Sequence, residues 1–213
     1  MALTKVRGGA IDNPLTLGGG SASDRSIIFD GNAQDFHIGL DDSEDKLTIG
    51  LGSTLGTTTH ISIDANGHIT MPTQSAFLAQ LSTLQANVAV GSGQTIQFDT
   101  EIFDQNADFN TSTYTFTAPV TGRYQLNFLT RYNSLDTAPS YYQAYVVTSN
   151  RHYIHTIDPN YTADLSYYSL GFSFLADMDA SDTAYAVFNQ SGGTQQTDIS
   201  AGADTYFSGY LVA

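Results

Sequence analysis

A chain of 213 residues, 41% of them hydrophobic and 13% charged, is long enough to bury a core of its own. Its 21 acidic residues against 7 basic ones give a net charge of -14, which repels nucleic-acid phosphates and anionic membranes and so argues against a DNA-binding role. No apolar run approaches the ~18 residues of a membrane span, and the absence of cysteine leaves packing and assembly to hold the fold.

Taken in chain order, the opening Met1-Ala2-Leu3-Thr4-Lys5-Val6-Arg7 lacks the apolar stretch of a secretory signal. Residues 8–26 carry Gly8-Gly9 and Gly18-Gly19-Gly20, so residues 1–26 read as an extended attachment segment. Residues 27–72 then alternate apolar and polar positions in short runs: Ile27-Ile28-Phe29, Phe36-His37-Ile38, Leu47-Thr48-Ile49 and Ile61-Ser62-Ile63. Turn signals separate them, among them Asp30-Gly31-Asn32, Asp41-Asp42-Ser43, Gly50-Leu51-Gly52 and Asn66-Gly67. Strands this short cannot close a core alone. Three copies wrapped about an axis could, and a trimeric β shaft is expected here.

Aromatic residues divide the chain. Of its 12 Phe and 13 Tyr, only Phe29 and Phe36 precede Pro72, so a deep core belongs to residues 73–213. Clean alternation there predicts strands at Ile96-Gln97-Phe98-Asp99-Thr100, Tyr114-Thr115-Phe116 and Tyr124-Gln125-Leu126-Asn127-Phe128. Leu170-Gly171-Phe172-Ser173-Phe174 and Phe207-Ser208-Gly209-Tyr210-Leu211 follow the same rule. So many strands with regular turns predict a sandwich or jelly roll. One segment reads two ways, because Phe77, Leu81, Leu84 and Val88 fall at helical spacing.

These residues resemble a known family. Complement C1q-like domains open on an Ala-Phe pair, as Ala76-Phe77 does, and carry a Phe-Asp pair like Phe98-Asp99. Their central signature resembles Phe116-Thr117-Ala118-Pro119-Val120-Thr121-Gly122-Arg123-Tyr124-Gln125-Leu126-Asn127-Phe128, and their last strand resembles Phe207-Ser208-Gly209-Tyr210-Leu211. The resemblance covers about residues 75–213. It implies an all-β, antiparallel C1q/TNF-like jelly roll that trimerises, and it makes the segment of Phe77, Leu81, Leu84 and Val88 strand and not the helix of a short three-stranded coiled coil. One departure stands out: the family usually has Gly two residues before the first Phe of the signature, where this chain has Tyr114. The N-terminal part resembles virion fibre proteins of marine tailed phages, through Phe29-Asp30-Gly31-Asn32-Ala33-Gln34-Asp35-Phe36 and Ile61-Ser62-Ile63-Asp64-Ala65-Asn66-Gly67-His68-Ile69-Thr70-Met71-Pro72.

Chemistry-bearing groups are sparse. There is no cysteine nucleophile, Gly-x-Ser-x-Gly elbow or His-Glu-x-x-His helix, so catalysis is not expected. His152 and His155 would share a metal on a helix, but on a strand they point to opposite faces. His37, His60 and His68 each alternate with apolar neighbours and read as exposed strand positions or, in a trimer, as axial ligands. The acidic runs Asp41-Asp42-Ser43-Glu44-Asp45 and Asp177-Met178-Asp179-Ala180-Ser181-Asp182 lack the spacing of an EF-hand, as does Asp64-Ala65-Asn66-Gly67. No metal site is assigned and no cofactor is expected. The family resemblance makes calcium possible without fixing its ligands.

The tyrosine-rich stretch is the best candidate for recognition, since aromatic faces beside amides and carboxylates hold sugars. Arg151, Tyr153, Asp158, Asn160 and Tyr161 are the candidate binding residues, taken to lie on one loop from Asn150 to Asp164. The reading is a homotrimeric virion fibre with an N-terminal segment (1–26) held by other virion proteins, a shaft (27–72) and a head (73–213). The head would attach the particle to a host surface glycan or protein, with no nucleic acid bound and no membrane insertion. The alternatives are a capsid fibre or decoration protein and a bacterial extracellular lectin of the same fold.

Overall fold

The computed structural model describes residues 16–213, so the first 15 residues of the expected attachment segment lie outside the described ones. Contacts divide the chain into two compact units, Met1–Thr73 and Gln74–Ala213.

The first unit is one antiparallel meander. Strands β1 (Arg25–Phe29), β2 (Phe36–Asp41), β3 (Lys46–Leu51), β4 (Thr59–Ile63) and β5 (Ile69–Thr70) pair in chain order. Their register sorts side chains by chemistry. Ile27, Ile38, Ile49 and Ile61 stand opposite one another across four strands. Leu40, Leu47, Ile63 and Ile69 form a second row, and Phe29, Phe36 and Leu51 a third. All three rows share one face, since side chains on a strand alternate. The opposite face is polar, and it is the buried one: His37, Asp41, Thr48 and Ser62 are each at most 8% exposed. The β3–β4 connection covers it, with Leu55 against Gly39 and Gly56 against Asp41. None of the described hydrophobic residues of this unit is buried.

That arrangement corrects the reading of His37. Its ring is fully buried within its own sheet, and Nδ1–H donates to the Gly52 carbonyl at 2.9 Å. It is neither an exposed strand position nor on the apolar face. His60 Nδ1 lies 2.9 Å from the Thr73 hydroxyl, and His68 Nδ1 lies 2.8 Å from Asp64 Oδ2.

The second unit is a sandwich of two antiparallel sheets. One contains β14 (Leu165–Met178), β11 (Gly122–Leu135), β17 (Tyr206–Leu211), β6 (Ala76–Gln80) and β8 (Thr100–Asp104), in that order, with β16 (Asp198–Ile199) also paired to β11. The other runs β13 (His152–Ile157), β12 (Tyr142–Thr148), β15 (Thr183–Gln190), β10 (Thr115–Thr117) and β9 (Phe109–Asn110), with β7 (Gln94–Thr95) on β15. Residues 76–80 are thus strand, and the helical spacing of Phe77 and Leu81 has another cause. Both are buried from an extended chain and a loop, while Leu84 is exposed.

The central signature forms the core. Phe116 on β10 stacks on Phe77 of the facing sheet at 4.7 Å and meets Tyr124 edge-on at 5.5 Å. Phe116, Tyr124 and Phe128 are all at most 2% exposed. The Tyr124 hydroxyl donates to the Val120 carbonyl at 2.7 Å, which locks the Pro119–Gly122 turn to the strand it feeds. At Tyr114, where the family's usual glycine is missing, the backbone still adopts φ of 60°, the left-handed conformation a glycine takes without strain.

Candidate functional site

The two ends of the second unit differ in chemistry. Gln74 begins the unit, and its side-chain amide donates to the Leu211 carbonyl at 3.1 Å, level with Tyr124 on β11. β11 then runs ten residues further to Ser134, roughly 30 Å along the strand. At that far end an open polar cavity of about 540 Å³ is lined by residues that include Asn87, Ser134, Asp164, Ser166, Gln196 and Asp198.

Hydrogen bonds set this cavity in place. Asp164 Oδ1 accepts from the Thr137 backbone N–H and hydroxyl, both at 3.0 Å, and Oδ2 accepts from Gln196 Nε2 at 2.9 Å. The Gln196 amide, followed by the Thr137 donors, holds the Asp164 carboxyl below its ordinary range. Asp198 Oδ1 accepts the Asn87 N–H at 2.8 Å. Beneath the cavity Asp136 is nearly buried, accepting from the backbone N–H groups of Ala138 and Thr194. Asn87 and Ser134 both hold left-handed backbone, with φ of 48° and 54°. The result is a wet, fixed set of donors and acceptors with no nucleophile paired to a base.

The expected loop from Asn150 to Asp164 is not one loop. Residues 152–157 are strand β13, so Arg151 lies at one end and Asp158, Asn160 and Tyr161 at the other, roughly 20 Å apart. Arg151 pairs with Asp177 at 2.7 Å beside the start of β11. Tyr153 stacks on Phe174 with centroids 3.9 Å apart, and its hydroxyl donates to the Leu175 carbonyl at 3.3 Å. Burial of that phenol raises its pKa. These two residues close the gap between edge strands β13 and β14. Asp158, Asn160 and Tyr161 are exposed, on a turn anchored by buried Pro159, and the Tyr161 ring lies 6.2 Å from that of Tyr168. This turn leads within three residues to Asp164, which lines the polar cavity, while Asp158, Asn160 and Tyr161 themselves are not among its lining residues.

Sequence reasoning missed Asn87, Ser134, Gln196 and Asp198 as site residues. Nothing local in the sequence says that Asn87 meets Asp198, 111 positions away. The acidic runs have their own local duties. Asp64 Oδ1 accepts the N–H groups of Asn66 and His68, and Asp41 Oδ1 accepts from Ser43 and Glu44. Asp182 Oδ2 accepts from Asn150 and Asp179. Among the described residues no group of three or more His, Asp or Glu is placed to hold a metal.

The C1q domain matches residues 76–212, the whole span of the sandwich. The chain belongs to the C1q domain family. Among solved structures, the C1q domain here is similar to the globular domain of zebrafish complement 1qA, at 14% identity and a TM-score of 0.47, covering 66% of this chain and 98% of that one. It is also similar to murine APRIL, at 9% identity and a TM-score of 0.49, covering 65% and 99%. No curated protein matches. C1q domains are typically trimeric and generally act as non-enzymatic binding modules.

Proposed function

We propose that this chain is the subunit of a homotrimeric virion fibre whose C1q head attaches the particle to a glycan or protein on the host surface. The observation that carries this reading is the polar cavity at the end of the head opposite Gln74, one of whose lining residues, Asp164, follows three residues after the exposed turn of Asp158, Asn160 and Tyr161. A ligand there meets the edge of Tyr161 and the fixed oxygens and amides of Ser134, Asp164, Gln196 and Asp198. Three copies give avidity, so weak single sites suffice. The phage-like sequence of the first unit supports the virion setting, and the N-terminal segment is the part that other virion proteins would hold. The surface charge of -14 disfavours nucleic acid as a partner, and no helix among the described residues is long and apolar enough to cross a membrane.

The test uses the purified full chain. Asn160→Ala with Tyr161→Ala should keep the wild-type melt, and separately Gln196→Ala with Asp198→Ala, which gives up the bonds to Asp164 and to the Asn87 N–H, should stay folded with a lower one. Each lost contact is worth about 1 kcal/mol, and three copies multiply it, so adsorption to host cells should fall more than tenfold. Full adsorption by both folded variants would remove the far end of the head from the binding site. Immunogold microscopy of particles then decides between tail, capsid and cell surface.

A further inference from the structure

We infer that the apolar face of the first unit is an interface between copies of this chain, three sheets turning their isoleucine rows toward a common axis. The face is inverted relative to what water selects. Among the described residues only Leu17 lies beside this face, next to Ile27, Ile38, Leu40 and Leu47. The eight most exposed rowed residues of the face still range from Ile69 at 60% to Ile49 at 37%, while the polar face is shut beneath the β3–β4 connection. Together they leave roughly 650 Å² of apolar surface uncovered, above the patch an ordinary monomer shows and near what one partner gives a stable interface.

Charge says which partner fits. Every described acidic residue of this unit lies in a turn, at a strand margin or on the polar face. The one cation on the same side, Arg25, is tied back to Ser21 and Ser23 at 2.7 and 2.5 Å. A face without acidic side chains on a chain of -14 is a place where identical copies approach without the repulsion that the rest of the charge imposes. The rows also match themselves, isoleucine meeting isoleucine, which a second copy supplies by symmetry. The number three rests on the trimeric reading of the C1q head on the same chain; the identity of the face does not.

The chain has no cysteine, so a single introduced thiol reports one position. Ile38→Cys and, as a second variant on the same row, Ile61→Cys are made in the full chain, with Ser26→Cys on the opposite face as control. All are checked for wild-type circular dichroism. Treated with a short trifunctional maleimide, the row variants should give a covalent three-chain product, while Ser26→Cys should give single labelled chains. Thiol reaction with a bulky reagent should be at least tenfold slower at Ile38→Cys than at Ser26→Cys. Covalent pairs without triples would overturn the three-copy arrangement, and fast labelling of both row variants without cross-linking would overturn the interface. Neither result depends on adsorption, which tests the head alone.

Discussion

The two units obey the same strand rules and end with opposite insides. In the head, alternation places Phe77, Phe116, Tyr124 and Phe188 between two sheets, where one chain buries them completely. In the first unit the same alternation yields a single sheet, and the side a single chain can cover is the polar one, with His37 and Asp41 beneath a glycine-rich loop. One chain therefore finishes the head and leaves the first unit unfinished. The lesson is that pattern alone fixes which residues share a face, whereas the number of layers decides which face becomes the interior.

The largest expected effect tests the claim that the head closes on itself. Tyr124→Ala and Phe116→Ala each remove a ring that is fully buried, at a cost of about 3–5 kcal/mol. For a unit of this size that is a fall in melting temperature of about 10–15 °C. All 13 tyrosines lie in the head and there is no tryptophan, so tyrosine fluorescence follows the head alone. Melts of both variants unchanged within error would mean that these rings are not its core.

A smaller effect tests the other unit. A methyl added at Gly50 would sit 2.1 Å from the Thr58 carbonyl oxygen and 2.7 Å from His37 Nε2. Gly50→Ala therefore has to push the covering loop away or shift the His37 ring, at about 1–3 kcal/mol. Hydrogen exchange over residues 36–63 should rise severalfold while the tyrosine-detected melt stays put. A head melt that moves with this substitution would show that the two units do not fold independently.

Acid tests the far end of the head. Asp164 has its pKa lowered by Gln196 and Thr137, so its folded value lies under its unfolded one. The stability it contributes is complete above the unfolded carboxylate range near ~4 and is lost as pH falls through the folded value. Asp164→Asn should remove that contribution. The gap between wild-type and variant melting temperatures should be largest near neutral pH and close as pH falls through the lowered folded value. A gap that persists in strong acid would assign Asp164 a role other than its charge.

Much of the head was legible because its information is local. The Phe116-to-Phe128 signature carries both the strand period and the turn that reverses it, and Phe207-Ser208-Gly209-Tyr210-Leu211 shows the same two-residue period. The far-end cavity was not legible, because Asn87, Ser134, Asp164 and Asp198 come from four separate segments that only pairing brings together. The tyrosine-rich stretch misled for a related reason. Its polar residues look like one loop in the sequence, yet β13 runs through the middle, and Tyr153 is consumed by a ring on β14 that lies 21 positions further on. In the first unit the rows were visible as alternation, but the sequence does not say which face a covering loop will take.

The smallest effect concerns strain, and it separates the units once more. Left-handed backbone at a residue other than glycine costs roughly 1–2 kcal/mol and persists only where the surroundings over-determine it. Among the described residues the first unit has one, Asp45, in its β2–β3 turn, whereas the head has Asn87, Ala107, Tyr114, Ser134 and Ser181. That distribution fits a head whose closed core can hold strained loops and a sheet that, in one copy, cannot. Tyr114 is the clearest case, because it occupies the position where the family usually has glycine. Tyr114→Gly should relieve the strain, and the greater freedom of glycine in the unfolded chain returns part of the gain. Comparison with Tyr114→Ala isolates the backbone, since alanine loses the same ring but keeps the penalty. The glycine variant should be more stable than the alanine variant by about 1 kcal/mol, a difference of about 3 °C in the melt. An alanine variant as stable as the glycine one would mean that residue 114 does not hold a left-handed turn, and the head would lose its best example of strain sustained by its core.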